Sequence, residues 1–398
     1  MCEFSFNTLQ YALAERGDLP LSVMYNDDVR SFHRSLEGYD PTPLISLKGL
    51  AKRLDVKELL VKDESRRFDL KAFKVLGASY AMYRFMKKRW EAATGVILEP
   101  PELFSNAVSD TIGRLTFCTA TDGNHGRAVA WMANKLRQAA VIYMPANSAE
   151  ARVKAIRSEG ARVVLIDESY DEVVAQAAAD AEAMGWEVIS DTSYAGYTEI
   201  PVWIMNGYKT LFEEIDEAMP GSPLGHNDLV FVQAGVGALA AAAAWHYRFR
   251  GSSDGPRLIC VEPNSAACLL ASWRSGGEDI QSVAFEEDTI MAGLNCGTPS
   301  LVAWPFIRAG FDVFMSVSDH YAIRAMKHCH DPEPGDSQIV SGESGAAGLA
   351  ALLALTADPV LLEARLQLNI GPHSRVLLLN TEGDTDPVGY ERAVDLAQ

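Results

Sequence analysis

The sequence predicts an α/β protein with two open-sheet, parallel α/β domains. Two runs of alternating strand and helix signals predict it, one over residues 115–190 and one from 227 onward. A third observation agrees: several apolar strands stop abruptly at glycine or polar turns, from which a helix begins.

The elements follow in order. "LLVKDE" (59–64) is a short apolar strand ending in charge. "AFKVLGASYAMYRFMKKRW" (72–90) reads as a helix, because Phe73, Leu76, Tyr80 and Tyr83 recur at spacings of three and four. Residues 91–114, with Pro100 and Pro101, read as an irregular, poorly packed insertion. "LTFCTAT" is a strand and "RAVAWMANKLRQ" a helix. "AAVIYMP" is a strand, and "SAEARVKAIRSEG" a helix with Ser148 as N-cap and Gly160 as its stop. "ARVVLID" and "WEVIS" are strands flanking the helix "YDEVVAQAAADAEAMG". The second run holds the strand "LVFVQA", the turn "GVG", the helix "ALAAAAAWHYRF" and the strand "RLICVEP". It closes with "SGESGAAGLAALLAL", a glycine-rich turn into a helix, and "RVLLLNTEGDTD", a buried strand with an acidic end. Residues 86–204 are expected to form a small domain. Residues 1–85 should join 205–398 in a larger one.

The net charge is −18 over 398 residues. That argues against a nucleic-acid partner, which would need clustered Lys and Arg. No run approaches the ~20 apolar residues of a membrane span. The leading stretch "MCEFSFNTLQYALAERGDLP" lacks the basic-then-apolar order of a signal peptide. The six cysteines are dispersed, without a CxxC or His/Cys cluster, so no metal site is expected. They read as reduced thiols of a cytoplasmic protein, with a Cys268–Cys296 disulfide as the alternative.

Ligands of open α/β sheets bind beyond the carboxyl ends of strands, and those ends carry the chemistry here. Lys74 stands among Phe73, Val75 and Leu76. Lost solvation should lower its pKa and make the amine nucleophilic, although a snorkelling lysine has the same surroundings. Lys71 has no such bracket and should face solvent. "TDGNHG" sets Thr121, Asp122, Gly123, Asn124 and His125 on a turn. Its successive N–H groups can hold a carboxylate, with Asp122 beside it as a proton acceptor or donor. Asp and Asn are also ordinary turn formers. Gly235, Val236, Gly237 and Ala238 form a glycine turn entering a helix, which suits a lone phosphate better than a dinucleotide, because the full GxGxxG pattern is missing. Asp191 follows a strand. Asn380 or Thr381, on the last strand, could hydrogen-bond a ring nitrogen, and Glu382, Asp384 and Asp386 beyond it read as solvated acids.

The order of these features resembles the fold-type II pyridoxal-phosphate enzymes, the tryptophan synthase β-like group that includes serine/threonine dehydratases. Eight blocks, among them "AFKVLGASYA", "TATDGNHGRAVAW", "GYTEIPVWIMNGY", "TIMAGLNCG" and "NTEGDTDP", look like diaminopropionate ammonia-lyases over residues 35–390. The resemblance implies a pyridoxal 5'-phosphate cofactor and elimination of ammonia from 2,3-diaminopropionate. It implies Lys74 as the Schiff-base lysine, Asn124 on the cofactor's phenolic oxygen, Gly235 to Ala238 around its phosphate, and Asn380 or Thr381 at the pyridine nitrogen. It implies a homodimer as well. Asp122 and Asp191 are then the catalytic carboxylates. The substrate would meet Thr121, Asp122, Gly123, His125 and Asp191. The alternatives are a serine/threonine dehydratase, from which Asp122 distinguishes this chain, and a non-catalytic nucleotide-binding α/β protein.

Overall fold

The computed structural model describes residues 2–8, 19–26, 28–168, 170–250, 255–284 and 288–396, without the side chains of residues 170 and 171. Much of the leading stretch read for a signal peptide thus lies outside the described residues.

Among the described residues, eleven strands form two sheets. The larger has the order β1-β10-β9-β8-β11-β3-β2, from β1 (Glu3–Phe6), β2 (Leu44–Ser46), β3 (Glu58–Asp63), β8 (Leu229–Gln233), β9 (Arg257–Pro263), β10 (Val313–Val317) and β11 (Arg375–Asn380). Its five central strands run parallel, and the edge strands β1 and β2 are antiparallel. The smaller sheet has the order β6-β5-β4-β7, all parallel, from β4 (Thr116–Ala120), β5 (Ala139–Pro145), β6 (Arg162–Ile166) and β7 (Glu187–Val188).

The central strands β8 to β11 are buried along almost their whole length, which is why they read as continuous apolar runs. Helices cover both faces. Ala347–Ala357 is apolar all round and carries nine buried residues, as a helix packed inside a core must be. No single helix among the described residues is long and apolar enough to cross a membrane. One pair does pass by length and composition, Ala347–Ala357 with Pro359–Gln367, but it is bent by 87°.

Two expectations about local structure need correction. Residues 91–114 are more regular than expected, although most of them are exposed. The helix Lys74–Thr94 runs into them, a 3-10 turn forms at Pro100–Glu102, and Asn106–Ile112 is a helix capped by the Ser105 hydroxyl. Leu98, Leu103 and Val108 are buried there, and Leu98 O accepts a bond from the Tyr83 hydroxyl at 3.1 Å. The anchors are spaced too widely to show a helical or strand period. Ser148, the expected N-cap, lies outside its helix, which starts at Glu150 after Ala149. Its N–H donates to Pro145 O at 3.1 Å, so it belongs to the preceding turn. Gly160 ends that helix as expected, with φ +90°.

Candidate active site

The chain reaches Lys74 through an unusual backbone. Phe68, Asp69 and Lys71 all take positive φ, of 50°, 58° and 59°. Such strain persists only where surrounding structure enforces it, and the end of β11 does so. Phe73 N donates to Thr381 O at 3.1 Å, Gly383 N donates to Lys71 O at 2.8 Å, and Ala72 bridges Glu382. Lys74 therefore opens its helix against the carboxyl end of the last strand. Its Nζ donates to Asp191 Oδ2 in an ion pair whose side chains are 19% and 17% exposed. Burial alone pulls the ammonium down, as the sequence suggested. The Asp191 charge, 117 residues away in the chain, more than reverses this and raises the pKa above that of an ordinary lysine. Asp191 is held down to about 2 against its own burial, chiefly by the Lys74 ammonium. Lys71 instead pairs with Asp384 at the surface, at 2.8 Å.

The turn after β4 is braced from within. Thr121 Oγ1 accepts from Gly123 N at 2.9 Å and Gly126 N at 3.2 Å, and Thr121 N donates to Tyr143 O at 3.0 Å. These bonds occupy part of the N–H string expected to hold a carboxylate. The free donors are those opening the helix Asn124–Lys135. The His125 Nε2 donates to Ile189 O at 2.7 Å, and burial lowers its pKa, so the ring is neutral. Asp122 is different. Burial raises its carboxyl from 3.8 to about 7; Arg152 opposes this, while Asp191 and Asp288 add to it. A carboxyl near 7 can both take and give a proton at neutral pH.

A third group of residues closes the site from the larger sheet. Gln233 ends β8, and its Nε2 lies within 2.8–3.2 Å of four acceptors: Leu379 O, Ser344 O, Gly345 O and Thr381 Oγ1. These stitch β8 to β11 below the turn Gly235 to Ala238. Gly237 has φ +101°, and a Cβ there would stand 2.5 Å from Ile307 Cδ1. A Cβ at Gly235 would meet Cys296 Sγ at 2.8 Å. The turn is thus shaped for bare backbone. Glu382 is not a solvated acid. It is 2% exposed, accepts from Asn124 Nδ2 at 2.5 Å and from Ser344 N at 3.0 Å, and so links the two sheets.

These parts enclose a cavity of about 780 Å³. Every candidate residue named from the sequence lines it except Asn380. The Asn380 amide turns away, donating to Asp63 Oδ1 at 2.8 Å and Val340 O at 3.0 Å. Thr381 is the residue of that pair at the cavity. Arg152, Gln233, Ser344 and Asp288 also line it and were not anticipated, and Cys296 lines it too. Gln233 and Ser344 bond to residues remote in sequence, which no local pattern marks. All six cysteines are free thiols, Cys268 and Cys296 included.

The cavity fits pyridoxal phosphate. Its volume suits a small cofactor plus an amino acid. It holds a lysine amine at one strand end and a bare-backbone turn, apt for a phosphate, at the next. Four buried polar atoms of its lining residues have no partner among the described residues: His125 Nδ1, Arg152 Nε, Gln233 Oε1 and Asn295 Oδ1. Among the described residues no group of three His, Cys, Asp or Glu could hold a metal ion.

Fold and site together define a fold-type II pyridoxal-phosphate enzyme, and residues 36–382 match the family model of pyridoxal-phosphate dependent enzymes. Over 366 residues the chain is 41% identical to a diaminopropionate ammonia-lyase of Escherichia coli (strain K12), covering 92% of this chain and 90% of the relative. It superposes on a crystal structure of an Escherichia coli diaminopropionate ammonia lyase, in complex with an aminoacrylate-PLP azomethine reaction intermediate. The TM-score is 0.85 at 38% identity, over 99% of this chain and 97% of that one. The chain belongs to the diaminopropionate ammonia-lyase family. An L-threonine dehydratase of Escherichia coli (strain K12) is more distant, at 30% identity over 60% of this chain.

Proposed function

We propose that this chain eliminates ammonia from 2,3-diaminopropionate, giving pyruvate and two ammonia. The observation that carries this reading is the pair of cavity carboxylates in opposite states: Asp191 a firm anion, Asp122 titrating near neutrality. A substrate with a second ammonium group needs such a counter-charge, whereas a hydroxy amino acid does not.

Lys74 would hold the cofactor's aldehyde, Gly235 to Ala238 its phosphate, Asn124 its phenolic oxygen and Thr381 its ring nitrogen. The chemistry supplied by bound pyridoxal phosphate is an electron sink for charge developing at the α-carbon. The neutral Thr381 hydroxyl, unlike a carboxylate, would leave the ring nitrogen unprotonated. Lys74 takes the α-proton of the L-isomer. Asp122 takes it from the opposite face in the D-isomer. Asp191 binds the distal ammonium, and that group departs as the first ammonia. The enamine left behind takes up water, yielding pyruvate and the second ammonia. Glu382 keeps the Asn124 amide in place, and the braced Thr121 turn fixes Asp122 relative to Lys74.

A homodimer in the cytoplasm is part of the same proposal; the six free thiols support a reducing compartment. The test is a panel of D- and L-diaminopropionate beside serine and threonine, with pyruvate or 2-oxobutyrate and ammonia as readouts. Faster turnover of serine or threonine would overturn the reading.

A further inference from the structure

Two basic side chains line the cavity, Lys74 and Arg152. Lys74 is ion-paired with Asp191. The Arg152 side chain has no hydrogen bond or ion pair among the described residues, and its Nε is buried without a partner. A guanidinium does not shed its charge. It is partly buried and near the Asp122 and Glu343 carboxyls, which feel its charge, but it pairs with neither, so it can take an incoming anion.

The side chain also lies where an anion would arrive. Arg152 sits in the first turn of the helix Glu150–Ser158, and its stem runs along the turn after β4. A Cβ at Gly123 would stand 2.8 Å from Arg152 Cδ and 3.5 Å from its Cβ, so only glycine lets the arginine pass. Gly123 has φ +152°, which also suits glycine. The other charges lining the cavity are mainly negative: Asp122, Asp191, Asp288, Glu168 and Glu382. They would repel a carboxylate unless a cation stood against it.

We propose that Arg152 receives the α-carboxylate of the amino-acid substrate at the Thr121–His125 turn and is a specificity-determining residue for the reaction. This rests on the function proposed above. It gives the cavity two poles: Asp191 for the distal ammonium and Arg152 for the carboxylate. A guanidinium meets a carboxylate with two parallel N–H bonds, which orients the α-carbon as well as binding it. The cofactor phosphate is the other anion of matching chemistry. Its cradle, however, lies on the larger sheet, and Arg152 belongs to the smaller one.

The test compares wild-type holoenzyme with R152Q and R152K on diaminopropionate and on its methyl ester, which lacks the carboxylate charge. For the acid, R152Q should raise KM about 10- to 100-fold with kcat within about threefold. For the L-isomer, whose α-proton does not go to Asp122, the ester's kinetics should stay within about threefold, so the preference for acid over ester falls by nearly the same factor. R152K should show the same split at smaller size, which keeps the test open if the glutamine variant does not accumulate. Cofactor retained after dialysis, read by absorbance, should match wild type. Equal losses on acid and ester would make Arg152 merely structural, an unchanged KM would leave it without a ligand, and lost cofactor would assign it to the phosphate. Each of these overturns the proposal. A wild type inert on diaminopropionate is a separate failure, visible before any variant is compared, and it overturns the substrate reading together with this assignment.

Discussion

At the scale of single residues, Asp122 carries the sharpest expectations. If it is the base for the D-isomer, Asp122→Asn should lower D-isomer kcat/KM by roughly 10²- to 10⁴-fold and leave the L-isomer within about tenfold. Equal losses would remove the assignment. The pH dependence has a definite sign. The active base is ionised, so D-isomer kcat/KM should rise through about pH 7, and Asp122→Asn should abolish that limb. For stability the sign is opposite. The folded state holds the Asp122 proton up to about 7, while the unfolded chain releases it near 3.8. That contribution is present below 3.8 and is lost as pH rises through 7. Asp122→Asn should therefore flatten the fall in thermal midpoint between pH 4 and 7. The Asp122 turn was legible in the sequence because strand, turn and helix are contiguous. The charge state of Lys74 was not, because Asp191 lies 117 positions away. The Asn124–Glu382 bond, across 258 positions, was equally hidden.

At the scale of elements, the site depends on the junction of β8 and β11. Gln233 ties the strands, and Gly237 lets the following turn pass Ile307. Gly237→Ala adds a left-handed strain of about 1–3 kcal/mol and a clash. It should weaken retention of pyridoxal phosphate about tenfold or more, measured by dialysis and absorbance, with the far-ultraviolet circular dichroism unchanged. Full retention would show that the turn does not hold the phosphate. The strands that build this junction were readable, since β8, β9 and β11 are buried on both faces and look apolar throughout. The edge strands β1 and β2 were not. They are short, only partly buried and antiparallel, and their pairing with β10 and β3 supplies order that their composition does not.

At the scale of the whole molecule, the cavity lies where the two sheets meet, so the segments joining them must be fixed. Glu214 does part of this. It is 2% exposed and accepts from Arg67 at 2.7 and 2.8 Å, Lys62 at 2.5 Å, Arg30 at 3.0 Å and Tyr39 at 2.5 Å. The helix Lys209–Ala218 is thereby tied to the segment that leads to Lys74. Replacing Glu214 by Gln leaves two buried cations undercompensated and should cost about 3–5 kcal/mol, read as a lower denaturant midpoint. A change below about 1 kcal/mol would put the network on a par with surface ion pairs. Such a network joins residues far apart in sequence, so it was not visible in any motif.

On the function proposed above, two poles of charge around a reactive lysine select a diamino acid. The most direct measurement is the rate of pyruvate release by the holoenzyme from D- and L-diaminopropionate, set beside release of pyruvate from serine and of 2-oxobutyrate from threonine. At least one diaminopropionate isomer should be turned over with a kcat/KM well above both hydroxy amino acids, with two ammonia per pyruvate. Serine or threonine as the better substrate, with one ammonia per keto acid, would contradict it.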